Sequence, residues 1–293
     1  MYQFTGEISI LISLIISGLT MGFIYIIIAE GLNLIWGVMG IVNLAHGEFI
    51  MLGMYITYFV SIYLNINPLL SIFISFIALF IFGIILNESL IKRVIGATPL
   101  MSMLLTFGIS IFLINMGVIF FGGDSKIVDF VSGSIIFKQI VISKPRTITA
   151  AISIVISLLM YWFLQRTETG MAIRAVSIDK DTAMHCGINI RKINAITFGI
   201  GAALAGVAGS LISFIYSFTP MVGQTFMLKA FAIVVLGGMG HFIGIIIAGL
   251  ILGVFEALGA YYINVHLSEA IAFILIILTL LIRPTGIMGI GND

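Results

Sequence analysis

Long runs of apolar residues dominate this sequence. Eight runs come close to the ~20 residues that an α-helix needs to cross the hydrocarbon core of a bilayer; they lie at about 8–29, 47–64, 69–87, 98–121, 147–165, 195–217, 241–262 and 267–282. Only 9% of the 293 residues are charged, whereas a soluble domain carries about 25%. So few charges cannot cover a water-facing surface. The sequence therefore predicts an all-α polytopic protein whose partner is the lipid bilayer, and it argues against a soluble enzyme, a nucleic-acid-binding protein and a β-barrel.

Two further apolar pieces, 31–45 and 227–239, are too short and too rich in glycine to be ordinary spans. Including them gives eight full spans plus two short broken segments. The sequence thus predicts about ten crossings in a single transmembrane domain, residues 1–293.

The two halves of the chain echo each other at an offset of 200 residues. Segments 34–53 and 234–253 are identical at five positions: Gly37/Gly237, Met39/Met239, Gly40/Gly240, Leu52/Leu252 and Gly53/Gly253. In both segments a short piece broken by glycine is followed by a full span, and paired interrupted segments point to the pathway of a transporter. We expect a two-fold internal repeat; the alternative is coincidence among abundant glycines.

The distribution of charge among the loops predicts the orientation. Segment 166–194 holds eight of the 25 charged residues (13 basic and 12 acidic), and five of the eight are basic: Arg166, Glu168, Arg174, Asp179, Lys180, Asp181, Arg191 and Lys192. Cytoplasmic loops carry an excess of Lys and Arg, so we expect this segment, which has room for one or two short helices, to be cytoplasmic together with 88–97. Counting spans then places 122–146 outside, with a β-hairpin around Ser132-Gly133-Ser134, and both termini inside.

Motifs for catalysis and for cofactor binding are absent from the sequence. It contains no GxxxxGK[ST] phosphate loop, no HExxH, CxxC or GxSxG motif and no histidine-rich tract. The single cysteine, Cys186, fits a small buried residue better than a nucleophile. We therefore expect no enzyme activity, no metal and no cofactor.

The polar residues Asn43, His46 and Glu48 stand where a short piece meets a span. Ionisable groups at membrane depth are costly and usually face a cavity or a pathway, and a broken helix exposes N–H groups that suit a carboxylate. The alternative is structural: Asn43 and Glu48 cap the break, and His46 bonds a neighbouring carbonyl. The second half offers a matching break from Gly237 to His241, including Gly240, where the structural interpretation is favoured.

Three more ionisable residues fall within apolar runs. Glu30 ends one span and Glu256 lies in the middle of another; either could line a path, but an interhelical hydrogen bond is the simpler interpretation. Lys229 enters the second short segment, where its long side chain can snorkel to the interface. Small residues also recur at helix-packing spacing, as in Gly18-x3-Gly22 and Gly249-x3-Gly253, which lets helix backbones approach closely.

Long segments of the chain resemble the permeases of branched-chain amino acid ABC transporters. These segments are GLNLIWGVMGIVNLAHGEFIMLGMYITY (Gly31–Tyr58), the charged loop with the following helix (Arg166–Leu211), VVLGGMGHFIGIIIAGLILGVFEALGAYY (Val234–Tyr262) and IRPTGIMG (Ile282–Gly289). The resemblance covers nearly the whole chain. The length resembles that of the H-type member of the two dissimilar permeases that are usual in this family.

The resemblance implies a multi-pass protein of the plasma or inner cell membrane that works with several partners. It would pair with a second, dissimilar permease chain, bind two cytoplasmic ATPase subunits and receive leucine, isoleucine or valine from an extracellular substrate-binding protein. The absence of a phosphate loop agrees with ATP hydrolysis on partner chains. The stretch from Gly170 to Ile188 resembles the loop that docks on the ATPase, with Gly170, Arg174, Asp179, Asp181 and Gly187 as the expected coupling residues.

Two alternatives remain open at this point. Urea and short-amide permeases share nearly the same signatures, including the His-Gly-Glu core, so the substrate class is open. A self-contained channel or ion-coupled carrier is the alternative from another class. A carrier of that kind would need ionisable pairs within its spans, and the acids seen here lack an evident basic partner.

Overall fold

The computed structural model describes residues 2–137, 140–283 and 285–288. Its helices are α1 (Tyr2–Met39), α2 (His46–Tyr63), α3 (Pro68–Ser89), α4 (Pro99–Phe121), α5 (Lys144–Arg166), α6 (Glu168–Ile178), α7 (Lys180–His185), α8 (Ile190–Ser213), α9 (Val222–Gly237), α10 (Phe242–Tyr262), α11 (Val265–Ser268) and α12 (Ala270–Ile282). Two short strands, β1 (Ser134–Phe137) and β2 (Ile140–Ser143), form a hairpin. Among the described residues, six helices are long and apolar enough to cross a membrane: α1, α3, α4, α5, α8 and α10. The predicted all-α polytopic architecture is confirmed.

Local sequence fixes where several of these helices begin. Pro68 and Pro99 each open a helix, a position where the missing N–H of proline leaves no hydrogen bond unmade. The Asn67 side chain caps α3 by accepting a hydrogen bond from the Leu69 N–H, 2.9 Å away. The apolar runs between such signals then continue as helix because only internal hydrogen bonds satisfy the backbone in lipid.

The predicted short segment 31–45 is not a separate element. Helix α1 runs without interruption for 38 residues through 8–29 and most of 31–45. Gly31 serves close packing instead of a break, because a Cβ atom there would lie 2.7 Å from the carbonyl oxygen of Gly201 in α8. The chain leaves the helix only after Met39, where Gly40 adopts a φ of +67°. The predicted count of eight full spans plus two short segments is therefore wrong in this part of the chain.

Helix α8 lies at the centre of the bundle, and nearly every residue from Ile193 to Ser213 is buried. Its glycines set neighbouring helices against its backbone. A Cβ at Gly199 would lie 3.0 Å from the Phe80 carbonyl oxygen of α3, and a Cβ at Gly201 would lie 2.8 Å from that of Gly31 in α1. Gly53 of α2 meets the backbone of Gly206. Small residues thus let three helices approach α8 closely, which is how packing forces hold helices together in a membrane.

The two glycine pairs singled out in the sequence pack against each other within the chain. A Cβ at Gly18 in α1 would lie 2.6 Å from the Cα of Val254, and one at Gly22 would lie 2.8 Å from the Gly249 carbonyl oxygen. Helices α1 and α10 therefore touch backbone to backbone, as the spacing predicts.

The predicted hairpin in 122–146 exists, but its position differs. The strands pair in an antiparallel register, with Ser134 opposite Ser143. Gly133 precedes both strands, and its carbonyl accepts a hydrogen bond from the Lys144 N–H, 3.1 Å away. The predicted turn at Ser132-Gly133-Ser134 is therefore wrong, because Gly133 closes the base of the hairpin. Residues 138–139, between the strands, lie outside the described part of the chain.

The bundle has two ends, which the contacts of α1 identify. At the hairpin end, Arg146 at the start of α5 donates to the Ser17 hydroxyl at 2.8 Å. At the opposite end, which we call the coupling end after the role that the resemblance implies for Gly170–Ile188, the Lys180 Nζ of α7 lies 3.5 Å from the Met39 carbonyl oxygen. From Ser17 to Met39, α1 rises about 33 Å at 1.5 Å per residue, the full hydrocarbon thickness.

The start of α1 and the segment 166–194 consequently lie at opposite ends of the bundle. The prediction that both are cytoplasmic is wrong, because 8–29 and 31–45 form one crossing where two were counted. At the other end of the chain, the Ile287 N–H bonds the Leu236 carbonyl oxygen at 2.8 Å. Residues 285–288 thus lie near the end of α9; residues 289–293 fall outside the described part of the chain.

Accessibility of introduced cysteines tests this arrangement. In a Cys186→Ser background we expect cysteines at Glu7 and Ser134 to react with a membrane-impermeant thiol reagent added to intact cells. A cysteine at Ser177, an exposed residue near the end of α6, should react only after the cells are permeabilised. Labelling of Glu7→Cys together with Ser177→Cys, instead of with Ser134→Cys, would contradict the single crossing by α1.

Substitution of Gly53 tests the close packing of α2 on α8. Gly53→Ala should lower the melting temperature and the yield of folded protein in detergent, because the new methyl group overlaps the Gly206 backbone and overpacking costs about 1–3 kcal/mol. Gly108→Ala in α4 is the matched control, since nothing lies within 4 Å of its Cβ position. An unchanged melting temperature in Gly53→Ala would show that α2 and α8 are not closely packed at this position.

Candidate substrate pathway and coupling segment

The charged segment 166–194 forms two short helices, α6 and α7, at the coupling end, as predicted. Gly170 lets α6 cross the end of α5, because a Cβ there would lie 2.7 Å from the Leu164 Cα. The Arg174 Nε donates to the Leu164 carbonyl oxygen at 3.0 Å. Two of the predicted coupling residues therefore attach α6 to the end of a membrane-spanning helix.

Asp179 and Gly187 bound helix α7. The Asp179 carboxylate accepts hydrogen bonds from the Asp181 N–H (2.9 Å), the Thr182 N–H (3.3 Å) and the Thr182 hydroxyl, an N-cap arrangement. The Thr182 hydroxyl and these N–H groups hold the pKa of the Asp179 carboxyl below its usual range. Gly187, just past the helix, has a φ of +82°, which favours glycine. Asp181 is exposed in the first turn.

Segment 166–194, which we call the coupling segment, also exposes apolar side chains that the sequence did not predict. Ile178 is 86% exposed, Met184 55% and Met171 47%, while Ile173, Val176 and Ala183 are buried. Hydropathy averaged over a window does not reveal these residues, because charged residues surround them. The helical periodicity of α6, which places Ile173 and Val176 on the inner face, is the sequence feature that could have predicted their exposure. Cys186 is exposed as well, so the expectation of a small buried residue is wrong.

The first chain break buries its polar residues completely. His46 at the start of α2 is fully buried, and its Nε2 bonds the Ile28 carbonyl oxygen of α1 at 3.0 Å. The Asn43 side chain accepts a hydrogen bond from the Ala45 N–H at 3.2 Å, and the Thr106 hydroxyl accepts one from the Leu44 N–H at 3.1 Å. The break is thus tied to α1 and α4.

Unmet hydrogen-bonding capacity also remains at the first break. Glu48 is 1% exposed. Its Oε2, the Asn43 Nδ2 and the His46 Nδ1 are buried without a hydrogen-bond partner among the described residues. A buried polar atom without a partner costs about 1–3 kcal/mol, so this cluster is an expensive feature at the start of α2.

The second break, between α9 and α10, lies against the last turns of α1. The Gly240 N–H donates to the Asn33 Oδ1 at 2.7 Å, and Gly238 and Gly240 have φ values of +96° and +82°. The backbones of Gly237 and Gly244 meet across the break. His241 is partly exposed, and its ring lies 3.2 Å from the Met239 carbonyl oxygen. Glycine is required here both for φ and for close approach.

The two breaks resemble each other locally but reach α1 at different levels. Gly40 and Gly240, which match at the offset of 200, both follow a helix end with positive φ. The first break bonds α1 at Ile28, whereas the second bonds it at Asn33, five residues or about 7.5 Å further along the axis. The wider two-fold repeat stays a prediction.

The structure does bring the second break and the coupling segment together. Gly240 and Arg174 line the same cavity of about 110 Å³, together with Glu30 and Asn33 of α1. Glu30 is 3% exposed and accepts a hydrogen bond from the Ser157 hydroxyl of α5. The expected interhelical hydrogen bond of Glu30 is therefore confirmed.

Lys229 and Glu256 form an ion pair inside the bundle, between α9 and α10. Lys229 is 8% exposed, and its ammonium group also donates to the Tyr25 hydroxyl at 3.1 Å. The interhelical bond expected of Glu256 is confirmed. The expectation that Lys229 snorkels to the interface is wrong, because α9 turns the Lys229 side chain inward toward α10. The expectation that the acids within the spans lack a basic partner is wrong for Glu256.

Family and sequence comparisons agree with this arrangement. Residues 14–280 match the family model described as "Branched-chain amino acid transport system / permease component". The chain is 35% identical to the high-affinity branched-chain amino acid transport system permease protein BraD of Pseudomonas aeruginosa, covering 94% of each chain. It is 33% identical to the permease protein LivH of Escherichia coli, covering 93% of this chain and 94% of LivH.

A second type of permease matches over part of the length. The Escherichia coli protein LivM, named as a permease of the same high-affinity system, is 34% identical over 143 residues, or 48% of this chain and 33% of LivM. No solved structure matches the chain significantly. With the model matching most of the chain and relatives aligned over nearly all of it, this multi-pass plasma-membrane protein belongs to the branched-chain amino acid transport permease family.

Proposed function

We propose that the chain is one of two dissimilar permease subunits of an ATP-driven importer. In this importer an extracellular binding protein delivers branched-chain amino acids and two cytoplasmic ATPase subunits drive their passage. The observation that carries the proposal is the α6–α7 pair, which projects from the coupling end of a family member without a phosphate loop. Relatives named as LivH and LivM support two different permeases in one system, and their names favour amino acids over urea or amides.

The Lys229–Glu256 ion pair makes a self-contained carrier the second candidate, because ion-coupled carriers use ionisable groups within their spans. Purification separates the two functions. The chain should purify with its ATPase and partner-permease chains, and the assembled complex should take up leucine in proteoliposomes only with ATP and the binding protein. Uptake by the isolated chain, driven by an ion gradient, would favour the carrier.

In the proposed complex, α6 and α7 fit a cleft on the ATPase. Gly170 and Arg174 fix α6 on α5, while Asp179 and Gly187 bound α7. The exposed Asp181 is left to meet the partner's polar groups, and the exposed Ile178 to fill an apolar pocket. Apolar anchors in fully desolvated pockets dominate binding energy at interfaces. Arg174 then acts on coupling through the position of α6.

Ile178→Glu tests this docking. We expect it to weaken ATPase binding at least about tenfold, because an anchor residue at an interface contributes about 2 kcal/mol or more, and to uncouple ATP hydrolysis from leucine uptake. The matched control is Ile136→Glu at the hairpin end, where Ile136 is 69% exposed. Normal ATPase binding and uptake in Ile178→Glu would show that the segment is merely solvated.

We propose that Asn43, His46 and Glu48 influence the pathway by fixing where α2 begins, without gripping the substrate. Their burial and the His46–Ile28 hydrogen bond support a role in position. The second break, with Gly237, Gly240 and His241, would border the route at the coupling end, where Gly240 lines a cavity. Unwound backbone suits passage of a zwitterion because its polar groups can replace water without net charge.

His46→Ala is the informative variant for the first break. It should reduce leucine transport and lower the melting temperature, since the Ile28 carbonyl loses a buried partner at a cost of about 1–3 kcal/mol, while ATPase binding remains. His241→Ala should leave the melting temperature nearly unchanged, because that ring bonds only within its own turn. Normal transport by His46→Ala would restrict the break to a structural role, and loss of the ATPase partner would assign it to folding.

A further inference from the structure

A cavity at the hairpin end of the bundle shares no lining residue with either break or with the coupling segment. It holds about 610 Å³ between α1, α9, α10 and the start of α5, within the ~300–1,000 Å³ typical of small-molecule sites. Four charged residues line it: Arg146, Lys229, Glu256 and Glu269. Their formal charges cancel, so the cavity carries separated charges of both signs and no net charge.

One wall of the cavity holds a carboxylate with unused capacity. Glu256 accepts a hydrogen bond from Lys229 through Oε1, but its Oε2 is buried without a donor among the described residues. Lys229 is further held by the Tyr25 hydroxyl at 3.1 Å and lies 5.0 Å from the centre of that ring. A buried carboxylate oxygen without a donor is costly, so Glu256 retains the capacity to accept a further hydrogen bond.

The wall nearer the hairpin holds a cation with unused donors. Arg146 donates to the Ser17 hydroxyl at 2.8 Å and to the Tyr216 hydroxyl at 3.2 Å, two of the five N–H groups of a guanidinium. Among the described residues, no acidic side chain forms a salt bridge with Arg146. Tyr216, which holds Arg146, lines the same cavity as Glu256.

Apolar side chains make up much of the remaining lining. Leu14, Met21, Val222, Phe226 and Ala257 contribute to it. We propose that this cavity is a binding site for a zwitterionic amino acid with an apolar side chain, whose carboxylate bonds Arg146 and whose ammonium group bonds Glu256. The guanidinium fits a carboxylate with two parallel hydrogen bonds. The choice of a branched-chain side chain rests on the proposed function; the zwitterion rests on the charges.

A purely structural role for these charges explains less. Replacing a buried ion pair by apolar residues is often neutral or stabilising, so stability alone does not account for Lys229 and Glu256 in so apolar a chain. A purely structural role also leaves Arg146 without an acidic partner, although the cavity beside it has room for a carboxylate. A zwitterion satisfies both groups at once without adding net charge.

Protection of an introduced cysteine measures occupancy of the cavity. Ser217 lines the cavity and is exposed, so Ser217→Cys in a Cys186→Ser background should react with an impermeant thiol reagent. In the assembled complex in nanodiscs, without binding protein or ATP, L-leucine should slow this reaction. It should not slow the reaction of Ser132→Cys, which is exposed outside the cavity. Absence of protection of Ser217→Cys at saturating leucine would overturn the proposal.

Matched variants and analogues identify the recognised charges. Arg146→Gln should abolish protection, measured in that variant as the ratio of labelling rates with and without leucine, whereas Lys144→Gln, two residues earlier on the same helix, should retain it. The analogues 4-methylpentanoate and 3-methylbutylamine, each lacking one charge, should need at least about tenfold higher concentrations, as loss of one charge-assisted hydrogen bond predicts. Equal protection by either analogue, or full protection in Arg146→Gln, would contradict the assignment.

Two further experiments distinguish a lipid headgroup from a free amino acid in the cavity and test the proposed function separately from the site. Nanodiscs with and without phosphatidylethanolamine distinguish a lipid headgroup of similar chemistry: protection by this lipid in place of leucine would overturn the assignment to a free amino acid. Uptake of leucine by the complete importer tests the proposed function independently. Protection by leucine without any uptake would refute the proposed function and leave the site standing; uptake without protection would do the reverse.

Discussion

Backbone contact between α8 and its neighbours is the constraint on which the rest of the structure depends. In lipid no hydrophobic force draws apolar helices together, so close packing and interhelical hydrogen bonds must do so. The backbones of α3, α1 and α2 come close to α8 at Gly199, Gly201 and Gly206, respectively. A helix enclosed in this way cannot face lipid, and the burial of almost all of it follows.

Polar groups inside the bundle mark where this packing is interrupted. The Ile28 carbonyl oxygen of α1 accepts a hydrogen bond from the His46 ring at the first break, and the Asn33 side chain of α1 accepts one from the Gly240 N–H at the second. Lys229 and Glu256 sit apart from these breaks, at the floor of the large cavity. Hydrogen bonds at the breaks satisfy polar groups that the interrupted helices leave without a partner. The ion pair, by contrast, places charges inside the bundle that the fold does not require.

The sequence predicted the class of fold, the helical character of 166–194, the presence of a hairpin and close helix packing at Gly18 and Gly22, although it left open whether the partner helix belongs to the same chain. These rest on local composition and spacing, which a single chain displays directly. It did not predict that Gly31 lies within a continuous helix, because a glycine that breaks a helix and one that receives a neighbouring backbone look the same in sequence. That one misreading reversed the predicted side of the N-terminus.

The candidate site was harder to predict than the fold for a related reason. Lys229 and Glu256 are 27 residues apart, and Arg146 lies on another helix, so only the tertiary packing brings them to one cavity. Ile178 and Met184 are inconspicuous in sequence because their exposure depends on how α6 packs on α5 and how α7 packs on α6 and α8. His46 and Glu48, by contrast, were conspicuous as polar residues in an apolar run, yet the structure buries them. Polarity in the sequence located the exceptional residues without indicating which of them face a cavity.

Two helices connect the large cavity to the coupling segment, and they are fastened to each other along their length. Arg146 of α5 bonds Ser17 of α1 at the hairpin end, and the Ser157 hydroxyl bonds Glu30 in the middle. At the coupling end α5 holds α6 through Leu164, and α1 receives Lys180 of α7 at Met39. These attachments are spaced along both helices, from the hairpin end to the coupling end. Tyr25 on α1 and Arg146 on α5 line the cavity at the far end, so the geometry places its walls on the same two helices that carry the coupling segment.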